Sequence, residues 1–305
     1  GRSVLLSTTG LLAGLWWLAG SHPRRGLAAA ACTLAALAVR ETAWIFPLAF
    51  ALVEWLRGRS ARAIWDSTRL SWLVVAALAC LFLIEPHFRR LIDVSFATRG
   101  AGEQILSQTE AYRYFVTGPL RLVPNIDPDL PSRPLPQWHH LIWGAGWLAT
   151  AVAAVWGVAC RRSWLAGGVL WSLLLLWPTN GIMPRLDVAS DRHLYPALIG
   201  LAWTIGLLLQ SRYLRPVLWM LVPLLAVALL IRNEDYRSEV ALWSRTAEQS
   251  PGKSRVWNNL GVACLQTDDI RCARAAFDRA LRLDPDNQRA AVNRYFLDHP
   301  VHGHP

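Results

Sequence analysis

The residues best able to do chemistry lie in a short polar stretch, PTNGIMPRLDVASDRHLYP, at positions 178–196. It gathers Arg185, Asp187, Asp191, Arg192 and His193 between two apolar runs. Arg40–Glu41 and the pair Asp127 and Asp129 are polar islands of the same kind. A guanidinium presents its donors in a planar fork that matches the oxygens of a phosphate. A sugar needs carboxylates for its hydroxyls, and an acceptor hydroxyl needs a general base to activate it. Arg192, Arg185 and Arg40 are therefore candidates for contact with an anionic lipid phosphate. Glu41, Asp127, Asp129, Asp187, Asp191 and His193 are candidates for positioning a sugar or an acceptor. The plainer alternative is that these charges solvate helix ends and pair with near neighbours.

Other chemistries leave little trace. There is no CxxC, HExxH or GxSxG motif and no glycine loop of the phosphate-binding kind. His139–His140, His302 and His304 stand apart from other ligand types, so no metal site is expected. Cys264 and Cys272 are either a disulfide, if their side of the membrane is oxidising, or two free thiols; one pair at this spacing does not decide. Cys32, Cys80 and Cys160 lie in or beside apolar runs and read as small core residues.

The composition says what must position these groups. The 305 residues are 53% hydrophobic and 17% charged, against about a quarter charged in soluble domains. This is membrane-class usage, and 17 tryptophans agree with it, because indole favours the headgroup level of a bilayer. The net charge of +10 is carried by arginine, with Lys253 the only lysine. No basic run alternates with aromatics on a polar background, so nucleic acid is not a partner.

Eight apolar runs lie near 3–20, 26–39, 42–56, 70–84, 141–159, 164–177, 194–210 and 214–231. Each is to be set against the roughly 20 residues of a spanning helix. The second and third are short and read as a hairpin turning at Arg40–Glu41, with Pro47 bending the return helix. The expected fold class is all-α: a polytopic membrane domain over 1–232, then a short α-solenoid over 233–305. Alternate loops hold ten arginines (two, four, two and two) and one acid, Asp66, which makes their side cytoplasmic. The opposite loops collect the carboxylates. Among them is a long outer segment, 85–140, whose 88–97 stretch reads as interfacial and whose YFVTGPLRLVPNIDPDLP reads as a re-entrant or interfacial helix followed by a rigid loop.

After the last run the composition turns soluble. Trp257, Leu260, Gly261, Ala273, Phe277, Ala280 and Pro285 fall at the spacing of the tetratricopeptide repeat (TPR) within 254–287. Residues 236–251 read as a degenerate half repeat and 288–298 as a capping helix. An eighth span leaves this tail on the outer side; a bacterial inner membrane with the repeats in the periplasm is what the family resemblance described next implies. Membrane lipid is the first partner the spans imply.

In this order, RETAWIFPLAFALVEWL, YFVTGPLRLVPNIDPDLP, PTNGIMPRLDVASDRHLYP and the repeat tail resemble one family. It is the polytopic membrane proteins with C-terminal TPRs related to the transmembrane-and-TPR O-mannosyltransferases, of the GT-C glycosyltransferase class. The resemblance covers essentially the whole chain. It implies a polyprenyl-phosphate-linked sugar as donor substrate, transfer on the outer face, and TPRs that hold an acceptor protein or envelope partner. Arg40–Glu41 stands where the family typically has Lys-Glu, and Asp191–Arg192–His193 where Glu-Arg-Arg is common. The family keeps its catalytic acid in the first outer loop. The Gly1–Arg2 start resembles a point after that loop, so the expectation is of an upstream segment carrying the acid. Two alternatives stand beside the enzyme: a non-enzymatic, membrane-anchored TPR scaffold for envelope assembly, and an O-antigen ligase or polymerase.

Overall fold

The computed structural model describes residues 2–118, 125–181, 184–185 and 187–299, without the side chains of Leu91, Arg192, Leu218, Leu221 and Arg232. Every regular element among them is helical, and none is a strand. In chain order the helices are α1 (Arg2–Ala19), α2 (Arg25–Val39), α3 (Phe46–Leu56), α4 (Ala61–Ile84), α5 (Pro86–Thr98), α6 (Ala101–Thr117) and α7 (Trp138–Arg161). They continue as α8 (Trp164–Asn180), α9 (Leu194–Leu208), α10 (Leu214–Glu234), α11 (Glu239–Gln249), α12 (Ser254–Gln266), α13 (Ile270–Leu283) and α14 (Gln288–Asp298). Two short 3-10 turns, Glu41–Ile45 and Asp191–His193, carry the polar islands.

Among the described residues, three helical stretches are long and apolar enough to cross a membrane: Ala61–Ile84, Trp138–Arg161 and Leu214–Ile231. They make the chain a membrane-associated one. Arg25–Val39 and Leu194–Leu208 are apolar but shorter.

The local chemistry sets the ends. Ser60 and Ser163 cap α4 and α8 by accepting from Ala63 N–H and Ala166 N–H. Pro47 does not bend a helix, as its sequence context led us to expect. It lies in the first turn of α3, where a missing N–H costs nothing, and the 3-10 turn before it makes the change of direction.

The 85–140 segment holds α5, over the stretch read as interfacial, and α6; residues 119–124 of the expected re-entrant helix lie outside the described residues. The inward face of α6 is Gln104, Ser107, Glu110, Ala111 and Tyr114. That stripe has helical spacing but is mostly polar, so a search for hydrophobic periodicity passes over it.

The chain divides into two compact units: Gly1–Val116 with Leu130–Pro216, and Thr117–Asp129 with Val217–Pro305. In the first, Leu11, Leu18, Phe46, Phe50, Trp171 and Leu175 form the centre of a core built from α1, α2, α3 and α8. Helices α8 and α9 approach closely at Gly168 and Gly200. A Cβ on Gly168 would lie 2.8 Å from the Gly200 carbonyl oxygen, and one on Gly200 would lie 2.6 Å from Ser172 Oγ. Glu54 is fully buried with Arg57 Nη1 3.2 Å from Oε1 and Arg25 and Arg59 each 4.0 Å away. The arginines expected to mark the cytoplasmic loops thus also neutralise a carboxylate in α3.

The second unit packs α11 to α14 in sequence about Ala247, Val256, Leu260, Cys264, Ala273, Ala276 and Phe277. Gly261 has no room for a side chain: a Cβ there would meet the Phe277 ring at 2.5–2.9 Å. Cys264 and Cys272, 5.8 Å apart at Cα, are joined by a disulfide that ties α12 to α13. The sequence reading divides the chain between 232 and 233; by compactness 117–129 and 217–232 group with α11–α14, and Asp127 joins that unit through the ion pairs described below.

Candidate functional site

The polar face of α6 organises the first unit's loops. Gln104 Nε2 donates to the Gly181 carbonyl at 2.7 Å, and Ser107 Oγ to the Ser132 carbonyl at 3.3 Å. Tyr114 OH donates to Asp191 Oδ1 at 2.9 Å, and Asn180 Nδ2 to the Val188 carbonyl at 3.0 Å. Ala111, Tyr114, Val188 and Ala189 close an apolar contact behind these bonds. Val188 and Asp191 are therefore held from α8 and α6, and the 3-10 turn, Asp191–His193, is oriented by α6.

That turn delivers His193 to a small cleft of about 30 Å³. The polar wall of the cleft is Ser7, Thr8, Arg40, Thr42, Thr179 and His193; its floor includes Val4, Leu11, Ile45, Phe46 and Leu175. Arg40 ends α2 in an extended conformation, and its Nε donates to Thr42 Oγ1 at 3.0 Å. One guanidinium edge is so fixed by its own 3-10 turn. At the same level Arg185 Nη2 donates to Glu41 Oε1 at 2.7 Å. Burial works to raise the pKa of Glu41, but its own backbone N–H, Arg185 and Arg40 outweigh it and hold the carboxyl below its ordinary value.

The expected site residues thus fall into groups. Arg40, Glu41, Arg185 and His193 lie on the turns that border the cleft, with Arg40 and His193 in its wall. Asp191 is drawn to Tyr114, and Asp187 lies near enough to buried Arg99 to act on it electrostatically. Arg192 belongs to the same 3-10 turn by its backbone, but its side chain lies outside the described residues.

Asp127 and Asp129 belong to the second unit and serve it. Arg255 Nε and Nη2 donate to Asp127 Oδ2 and Oδ1 at 2.7 and 2.6 Å, and Lys253 Nζ donates to Oδ1. Burial pushes the Asp127 pKa up, but Arg255 and Lys253 more than reverse this and leave it lowered. Asp129 Oδ2 accepts from Gly252 N–H at 3.1 Å, and Asn125 Nδ2 donates to Ser250 Oγ at 3.0 Å. These contacts dock 125–129 onto the turn between α11 and α12.

Sequence reasoning passed over Ser7, Thr8, Thr42 and Thr179 in the cleft. Thr42 had a usable signal, since a hydroxyl two residues after an arginine at a helix end can fix that arginine. The other three are small polar residues inside apolar helices and carry none. It also missed Glu110, which lies beside His139 and His140: the histidines that looked isolated share a carboxylate 29 residues upstream. Comparison with protein-family models, with curated proteins and with solved structures finds no match to this chain.

Proposed function

We propose that the chain is the membrane part of a glycosyltransferase of the GT-C class, which takes a polyprenyl-phosphate-linked sugar on the outer, periplasmic face of a bacterial inner membrane. The observation that carries this is the cleft: an oriented guanidinium, Arg40, stands with four hydroxyls and an imidazole above an apolar floor. A lipid phosphate needs both halves of that arrangement, cationic donors for its oxygens and an apolar surface for the first isoprene units.

In this account Arg40 and Arg192 contact the donor phosphate. Arg185 is a third cation whose charge is shared with Glu41 at 2.7 Å. His193, Asp191 and Asp187 border the sugar. The catalytic base is not assigned among these residues. All eight apolar runs cross the bilayer, the shorter ones by local thinning of the membrane. The α11–α14 helices are TPR-like, with Gly261 against Phe277 as the small-large contact of a repeat, and they receive the acceptor protein or an envelope partner. The Cys264–Cys272 disulfide supports an oxidising, outer location for them.

The test is binding of a short-chain polyprenyl phosphate to the purified chain in detergent. Charge-assisted hydrogen bonds contribute about 1.5–3 kcal/mol, so Arg40→Ala should weaken binding about 10- to 150-fold while the protein stays monodisperse. Unchanged affinity in Arg40→Ala would remove the cleft as the donor site. A second reading, a membrane-anchored TPR scaffold, is favoured by one observation. Asp127 and Arg185, two of the charges expected to meet substrate, are engaged by Arg255, Lys253 and Glu41. A chain that binds no polyprenyl phosphate but captures envelope proteins through α11–α14 would support that reading.

A further inference from the structure

Where α6 meets the first turn of α7, three ligand-bearing side chains converge. Glu110 Oε1 is 2.6 Å from His139 Nε2 and 3.2 Å from His140 Nε2. One ligand atom from each residue lies within 4.8 Å of the others. Glu110 and His140 are buried, while His139 keeps 27% of its side chain exposed. Arg113 donates to the far oxygen, Glu110 Oε2, from Nε at 2.9 Å and Nη2 at 2.6 Å. This leaves Oε1 turned toward the imidazoles.

His140 Nε2 makes no hydrogen bond although it is fully enclosed. A buried ring nitrogen aimed at a carboxylate oxygen without bonding it is short of a partner. Its other nitrogen, Nδ1, accepts from Gln137 N–H at 3.0 Å and lies 3.2 Å from the Gln137 carbonyl oxygen. Ligation through Nε2 requires the proton on Nδ1, which exchanges the Gln137 N–H bond for one donated to that carbonyl, the arrangement of histidines that ligate metals.

We propose that Glu110, His139 and His140 form a binding site for a divalent transition ion of the zinc type, joining α6 to α7. Two imidazoles and one carboxylate are a donor set that suits zinc, and a fourth position is left for water beside the exposed edge of His139. Ligand atoms about 2.0–2.2 Å from one ion stand roughly 3–3.5 Å apart at near-tetrahedral angles. The Glu110–His140 separation already fits. His139 must draw back from Glu110 by about half an ångström, which its exposure permits. Arg113 and the N-terminus of α7 both repel a cation, and the Glu110 charge offsets them. The site does not depend on the glycosyltransferase reading.

The experiment uses the whole chain, stripped with chelator, exchanged into detergent and equilibrated with zinc chloride. After gel filtration the wild-type protein should retain about one zinc per chain with two nitrogens and one oxygen at about 2.0–2.2 Å in its X-ray absorption spectrum. Zinc should raise its melting temperature. Glu110→Gln and His139→Ala should each weaken zinc binding at least about tenfold, and zinc should no longer raise their melting temperatures. The double substitution His302→Ala/His304→Ala should bind as wild type. The proposal is overturned if the wild-type chain keeps no zinc, if the spectrum shows sulfur ligation, or if Glu110→Gln binds zinc unchanged.

Discussion

At the scale of single residues, the question is which charges are spent on the fold and which are left for chemistry. Asp127 is spent. Its lowered pKa makes its contribution to folding present above the unfolded value, about 3.9, and lost as pH falls through the lower folded value. The second unit should therefore loosen on acidification below about pH 4, as read by hydrogen exchange at 125–129 and in α12. Asp127→Asn should remove most of that dependence and leave the contact weak at every pH. A neutral-pH exchange pattern identical to wild type would contradict the role given to Arg255 and Lys253. Glu54 is spent in another way. Replacing it with alanine leaves Arg25, Arg57 and Arg59 around an apolar helix without a counter-charge. Breaking a buried ion pair costs about 3–5 kcal/mol, and less here because the arginines are partly exposed. We expect Glu54→Ala to lower the detergent melting temperature by several degrees, with Glu54→Gln between it and wild type.

At the scale of elements, close packing was legible wherever small residues announced it and illegible wherever polar residues did the packing. The spacing of Gly261, Ala273 and Phe277 is written in the sequence, and in the structure that glycine faces that phenylalanine. Gly261→Val should therefore disrupt α12 against α13, costing about 1–3 kcal/mol as an overpacked core, while Gly146→Ala, where a Cβ would meet nothing within 4 Å, should be neutral. Circular dichroism melting of the chain would separate the two. The disulfide closes a loop with a sequence separation of 8, worth about 2–3 kcal/mol in the chain-entropy account. Cys272→Ser should lower stability by about that amount, and a tail peptide should change gel mobility with reductant.

Helix α6 was not legible. Gln104, Ser107, Glu110 and Tyr114 face inward to hydrogen-bond loops from elsewhere in the chain, and nothing in a single sequence reports where those partners lie. For the same reason Glu110 could not be matched to His139 and His140, since only the fold brings residue 110 to the start of α7.

At the scale of the whole molecule, composition was enough to place the chain among membrane proteins. Ala61–Ile84, Trp138–Arg161 and Leu214–Ile231 carry that conclusion by length and apolarity. Several other runs are shorter or are broken by turns, because the chain there makes polar corners at the 3-10 turns 41–45 and 191–193. Those corners were visible as charge between apolar runs. Which of their residues face the cleft was not, because a 3-10 turn and an α-helical turn point the same sequence in different directions.

The account rests on the cleft beside Arg40 and His193 opening to the outer face and holding a lipid phosphate. The most direct measurement is labelling of Thr42→Cys in sealed vesicles by a membrane-impermeant maleimide, with Cys32, Cys80 and Cys160 replaced. Labelling from the outer face that falls in the presence of a polyprenyl phosphate, and does not fall with a neutral polyprenol, is the predicted result. Labelling only from the cytoplasmic face, or labelling that polyprenyl phosphate leaves unchanged, would contradict it.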